Sequence, residues 1–278
     1  MITKVRAAKR LLHVLEDGSD RVTRALMRAA YPARGTQLPP ILLFAQPKSG
    51  STFIHRALRR ILQVPFVRIG AGGVHDAAMS YALVTKFANG NAVCREHLPA
   101  RRHLLAALRH QGIRKAVLHL RDPRYSIVSW TRMIDRFANA RGMAGAVLTC
   151  EMEMSDDYMS WSFDERLKWQ IENYLPRQVQ WIENWLALAE EDTQVELLIT
   201  KYEDFSNDPA AYMRNILAFY NIAFEESWIR LPKDEIGKNN IFTTKTSDKW
   251  AGIDPALKAL ARDAIPESIR QRLDWEMG

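Results

Sequence analysis

Three short apolar runs, each ending in a polar cluster and followed by residues at helical spacing, constrain this chain more than anything else in it. They are ILLFA at residues 41–45, AVLHL at 116–120 and VELLIT at 195–200. A continuous apolar run of that length suits a strand buried on both faces, as in a parallel sheet. After the first run, Phe53, Ile54, Leu58, Ile61 and Leu62 recur with the period of a helix. The second run leads into a helical stretch from about Tyr125, and the third into a helical segment at 209–220. Strands alternating with helices predict α/β architecture: one domain with a central parallel sheet flanked by helices. Ligands of such sheets bind beyond the carboxyl ends of the strands, where all three polar clusters fall.

The rest of the chain narrows the partners. At 278 residues and 47% hydrophobic content it is long enough for a substantial core. A net charge of +7, from 39 Lys+Arg against 32 Asp+Glu, favours anionic partners such as nucleotides, acidic lipids or glycans. The basic residues form no long block, which argues against a nucleic-acid arm. Cys94 and Cys150 have no spacing that suggests a disulfide framework or a zinc site, and reduced thiols in a cytoplasmic protein are expected. Charges interrupt the apolar residues of the first twenty positions every few residues, so neither a signal-peptide core nor a membrane span is expected there. The Pro- and Gly-rich stretch 31–40 reads as a linker, giving an N-terminal helical arm and linker over 1–40 and a single main domain over 41–278. A Trp-rich helical region at 160–191 carries Trp161, Trp169, Trp181 and Trp185, most of them expected in the core with one or two open to an acceptor pocket.

The loop QPKSGST at 46–52 lies between a buried strand and a helix, where backbone N–H groups and the helix dipole can face a phosphate. Gly50 allows close backbone approach, Ser51 and Thr52 add hydroxyl donors, and Lys48 adds a full charge. The order is not that of a Walker A loop, because Lys48 precedes the glycine. With these flanks the segment PKSGSTF resembles the 5′-phosphosulfate loop of the sulfotransferases that use 3′-phosphoadenosine 5′-phosphosulfate (PAPS), closest in its motifs to the cytosolic type. That resemblance implies a P-loop-like fold and a nucleotide contact for Lys48, Ser49, Gly50, Ser51, Thr52 and Phe53, the last standing where many members carry a tryptophan against the adenine.

Further segments carry the same resemblance. RDPRYSIVSW supplies Arg121 and, eight residues on, Ser129, the pair that in the family holds the 3′-phosphate. Residues 95–99, REHLP, look like the segment whose histidine is the general base, so the resemblance implies that role for His97, with Glu96 as the alternative. KYEDF at 201–205 places Tyr202 near the adenine, and TTKTSDKW at 243–250 is similar to the basic loop that closes over the 3′-phosphate, which implicates Lys245 and Lys249. The resemblance implies PAPS as co-substrate and no metal, and a hydroxyl or amine acceptor on a small molecule, glycan or lipid. Acceptor choice is expected from the loops at 66–92 and 133–165, and no dimerisation signature is recognisable. Two other readings remain open at this stage: an ATP- and magnesium-dependent small-molecule kinase, and a nucleotide-binding module without chemistry.

Overall fold

In the computed structural model the described residues are 37–71, 78–191, 194–229 and 249–275. The expected N-terminal arm up to residue 36, and Lys245, lie outside them. The chain enters through β1 (Ile41–Ala45) and turns through residues 46–50 into α1 (Ser51–Leu62). A two-residue ribbon, β2 (Gly70–Ala71) with β3 (Ala78–Met79), precedes α2 (Tyr81–Phe87) and β4 (Val93–Glu96). Next come α3 (Arg102–His110), β5 (Lys115–Leu120) and the long α4 (Pro123–Cys150), then α5 (Phe163–Asn173) and α6 (Leu175–Glu191). β6 (Glu196–Lys201), α7 (Tyr202–Asn207), α8 (Pro209–Phe219), α9 (Pro255–Asp263) and α10 (Glu267–Arg272) complete the described chain.

The sheet is parallel throughout, in the order β4-β1-β5-β6. All three strands expected from the apolar runs are present, and β4 is an addition. Side chains alternate across a strand, and β1 shows the consequence. Leu42 and Phe44 pack with α3, α4 and α6 on one face, while Ile41 and Leu43 pack with α1 and α8 on the other. Every β1 side chain is at most 1% exposed, which is why the run is apolar without alternation.

The chain leaves β1 towards β4 on one side and leaves β5 towards β6 on the other. Adjacent strands whose connections diverge in this way open a crevice at their carboxyl ends. The loop after β1 and the start of α4 after β5 flank that crevice, so topology brings the first two sequence motifs together.

Local chemistry sets the helix starts. Asp122, Asp208 and Asp254 each accept a hydrogen bond from the backbone N–H two residues on, and each is followed by a proline at the first helical position. The carboxylate satisfies an amide that the helix cannot, and proline there loses no bond. α4 breaks at Gly142, whose φ of 72° and ψ of 176° leave the helical region altogether. Residues beyond the break double back, burying Ala146 and Cys150 and turning Thr149 towards the crevice. Both cysteines are free and buried. No described helix is long and apolar enough to cross a membrane.

Candidate active site

The loop after β1 has an unusual backbone. Lys48 (φ 65°) and Gly50 (φ 82°) both sit in the left-handed region, with Ser49 between them. Glycine adopts this freely, whereas a lysine there stores strain that persists only where neighbours fix it. They do so here. The buried Gln46 side chain accepts from the Arg121 N–H (2.8 Å) and donates to Ser126 Oγ (3.1 Å), and Arg121 Nη1 donates to the Lys48 carbonyl (3.1 Å). The Ser49 carbonyl accepts from His119 Nε2 at 2.8 Å. The loop is thus tied from below to β5 and the start of α4.

Above it lies a cavity of about 260 Å³. Its floor is Pro47, Lys48, Gly50, Ser51 and Thr52, and Arg95 and His97 reach in from the end of β4. Arg121 and Ser129 enter from the β5–α4 junction, Tyr202 from the start of α7, and Lys249 from the approach to α9. Of the residues singled out in the sequence, Lys48, Gly50, Ser51, Thr52, His97, Arg121, Ser129, Tyr202 and Lys249 are therefore brought together.

Three are not. Ser49 is wholly buried beneath the loop. Phe53 packs on Phe205 at 5.3 Å in the core below the sheet, away from the cavity lining. Glu96 points to the opposite face of β4 from Arg95 and His97, as strand alternation requires. Its Oε1 accepts from the N–H groups of Ile69 (2.8 Å) and Gly70 (3.0 Å), and Oε2 faces Arg68 at 3.4 Å. This carboxylate holds the β2 segment in place.

His97 Nδ1 lies against the Ala45 carbonyl at 2.5 Å. A carbonyl can only accept, so Nδ1 carries the proton and the neutral ring keeps its lone pair on Nε2. The segment after it is anchored by Trp181 and Trp185, whose Nε1–H groups both donate to the Leu98 carbonyl at 3.0 Å. Trp185 also stacks on Phe44 at 4.3 Å. None of the four tryptophans noted in the sequence lines the cavity. Trp130 of α4 does, with Met133 and Phe137 at positions +3 and +7 from it.

The cavity's charge is one-sided. Lys48, Arg95, Arg121 and Lys249 line it, and no carboxylate does among the described residues. Burial pushes Lys48 down to about 8, with help from Arg136 and Arg121. Lys249 falls to about 7, from burial first and then Arg121, Lys48 and Arg132. Arg121 and Arg95 are likewise pulled below the usual arginine value by burial. Arg121 is 2% exposed, its guanidinium lies 3.9 Å over the Tyr202 ring, and its Nε and Nη2 have no hydrogen-bond partner among the described residues. Buried donors are almost always paired, so two orphaned donors on one buried cation mark a place for an anion.

Arg95 is a site residue that the sequence reading left without a role. Its Nη1 donates to Thr52 Oγ1 at 2.8 Å and its buried Nε has no partner. The signal was available in its place two residues before His97, which puts both on one face of a strand.

The sulfotransferase domain, as a family, matches residues 38–250. The chain belongs to this family. Among solved structures it is similar to the mouse sulfotransferase SULT7A1 complexed with PAP, at 14% identity over 91% of this chain and 93% of that one, with a TM-score of 0.58. The sulfotransferase domain from the curacin biosynthetic pathway follows, at 15% identity over 87% of this chain and all of that one, with a TM-score of 0.49. No curated protein matches the sequence. At these identities the mouse structure supports the fold, while the family match extends over most of the chain and over every sequence motif described above, ending before α9. The family resemblance of PKSGSTF and RDPRYSIVSW holds, and the sulfotransferase domain includes all the residues lining the cavity.

Proposed function

We propose that this sulfotransferase takes its sulfonate from PAPS and delivers it to a hydroxyl or amine acceptor, with Lys48 and His97 as the groups that act on the reacting atoms. The carrying observation is Arg121: a buried guanidinium with two unpartnered donors, in a cavity walled by cations and no described carboxylate. A ligand with a 3′-phosphate, a 5′-phosphate and a sulfate meets that demand at several points. The arginine fork suits the 3′-phosphate, with Ser129 adding a hydroxyl, and the Tyr202 ring lies 3.9 Å from the guanidinium and helps fix its orientation. The amides of the first turn of α1, which a helix leaves unpaired, suit the 5′ end together with Lys48. Lys249 adds charge over the same ligand, and Lys245 is its candidate companion.

The reaction is a displacement at sulfur. The acceptor oxygen or nitrogen bonds to sulfur, the sulfur–oxygen bond to the 5′-phosphate breaks, and the nucleotide leaves as adenosine 3′,5′-bisphosphate (PAP). The acceptor's proton goes to His97 Nε2, which the Ala45 carbonyl keeps unprotonated in the neutral ring. Charge grows on the leaving oxygen, so an ammonium aimed there stabilises the transition state more than the ground state. Lys48 is that ammonium; at about 8 it is still mostly protonated at neutral pH. Arg95 adds a second fixed charge and holds the Thr52 hydroxyl. With Glu96 occupied by the Ile69 and Gly70 amides, His97 is the better base.

Thermal unfolding with PAP, ATP and AMP tests the donor, since a ligand bound to the native state raises the midpoint by mass action. A rise with PAP well above those with ATP and AMP is expected, and equal rises refute the reading. Family membership favours sulfonate transfer over an ATP-dependent kinase. Release of PAP from PAPS on adding members of an acceptor panel would separate an enzyme from a binding module.

A further inference from the structure

His119 lies inside β5, fully buried, on the same strand face as Arg121. Its Nε2 is 2.8 Å from the Ser49 carbonyl, and its Nδ1 faces two hydroxyls, Tyr212 at 2.8 Å and Thr200 at 3.1 Å, which are 2.8 Å from each other. Because a carbonyl only accepts, Nε2 bears the proton and Nδ1 accepts from a hydroxyl. One ring thereby links β5, β6 and α8 to the loop after β1. Every polar atom of it has a partner.

The bond to Ser49 matters because of the peptide it belongs to. The Ser49 carbonyl and the Gly50 N–H share one planar unit, and no peptide bond here is cis. In a trans peptide the two groups point in opposite directions. Drawing the carbonyl down onto His119 turns the Gly50 N–H up, on the side where Gly50 lines the cavity. That N–H has no hydrogen-bond partner among the described residues. Gly50, on one side of this peptide, is in the left-handed region, as is Lys48 one residue before it. Arg121 restrains the preceding peptide through the Lys48 carbonyl, so side chains from β5 and from the residue just after it hold two consecutive peptides.

We infer that His119 is a positioning residue for the donor's 5′ end: through the Ser49 carbonyl it sets the Gly50 amide as an anion donor. This rests on the proposed function, because it takes the phosphate at the loop to be the nucleotide's 5′-phosphate. Burial keeps the imidazole neutral, lowering it to about 4, so the donating tautomer persists at ordinary pH.

The test compares two amides. Glutamine places its N–H where Nε2 stands, whereas asparagine reaches only the Nδ1 position. Calorimetric binding of PAP and of adenosine 3′-monophosphate isolates the contribution of the 5′-phosphate as the ratio of the two affinities. The wild type and His119→Gln are expected to give similar ratios. In His119→Asn the ratio should fall roughly tenfold, the scale of one hydrogen bond to a charged group, with the affinity for adenosine 3′-monophosphate unchanged. Thermal unfolding establishes that each variant is folded, and His119→Met is the second donor-less variant if the asparagine does not fold. An undiminished ratio in the donor-less variant overturns the inference, as does an equal loss of affinity for both nucleotides, which a purely structural role would produce. A wild type indifferent to the 5′-phosphate overturns the donor reading itself.

Discussion

Arg121 and Arg124 stand three residues apart at the carboxyl end of β5, both nearly buried, at 2% and 6% exposure, yet their charges are handled in opposite ways. Arg124 lies against Asp122, with Nη2 and Nε at 2.6 and 2.9 Å from Oδ2, and its Nη2 also reaches the Trp275 carbonyl, joining the start of α4 to the end of the described chain. Arg121 has a backbone carbonyl, an aromatic ring and two donors with no bond to any described residue. A buried cation with its carboxylate is architecture. One that bonds no carboxylate among the described residues, with Glu203 and Asp122 acting on it only through space, keeps its donors available for something that arrives later.

The largest effects should separate the two kinds of residue by activity. His97→Ala is expected to lower kcat by about 10²–10⁴ and Lys48→Ala by about 10²–10³, the ranges for a general base and for one preorganised electrostatic donor. Steady-state kinetics would show this, with unfolding midpoints near that of the wild type. Near-normal turnover in Lys48→Ala would remove the mechanism.

The arginines give the sharpest contrast. Arg124→Ala leaves the buried Asp122 carboxylate without its partner and should cost about 3 kcal/mol in urea unfolding. Arg121→Ala loses the bond to the Lys48 carbonyl but strands no ion-paired carboxylate, so it should cost less, about 1 kcal/mol, and weaken PAP about tenfold to a hundredfold by calorimetry. If Arg121→Ala proves the more destabilising of the two, the division between paired and available charge fails.

A smaller effect comes from pH. The free site holds Lys249 at about 7 and Lys48 at about 8, below the ordinary lysine value. A bound polyanion favours the ammonium forms and raises both, so binding above about pH 7 takes up protons. PAP affinity should therefore fall, by about tenfold, between pH 7 and 9 and level off below pH 6. Proton uptake appears as a dependence of the calorimetric heat on buffer ionisation enthalpy, and an affinity flat across this range would contradict it. Ser129→Ala should be the mildest, a severalfold loss of PAP affinity, because a neutral hydroxyl contributes about 1 kcal/mol.

The strands that proved readable, β1, β5 and β6, are those whose sequence is dominated by apolar residues. β4 escaped notice because Val93–Glu96 carries Arg95 and Glu96 in four residues. As an edge strand it can send one charge into the cavity and the other onto the Ile69 and Gly70 amides. The break of α4 at Gly142 escaped for a different reason: the residues around it keep helical composition, and only the backbone angles show the turn. Phe53 was placed by motif position at the nucleotide; in the fold it packs on Phe205, a contact that the motif alone does not reveal.

By itself the sequence determined the alternation of buried strands and helices, the loop with Lys48, and the order in which Arg121, Ser129 and Tyr202 follow it, because local patterns of polarity and spacing encode these. Tertiary structure alone decided which buried charges are paired and which carbonyl each histidine meets. His97, which its motif marks, meets the Ala45 carbonyl at the cavity edge, and His119, which no motif marks, meets the Ser49 carbonyl beneath the loop. The partner of each ring nitrogen lies 52 or 70 residues away, and only the packing of β1 between β4 and β5 brings it near.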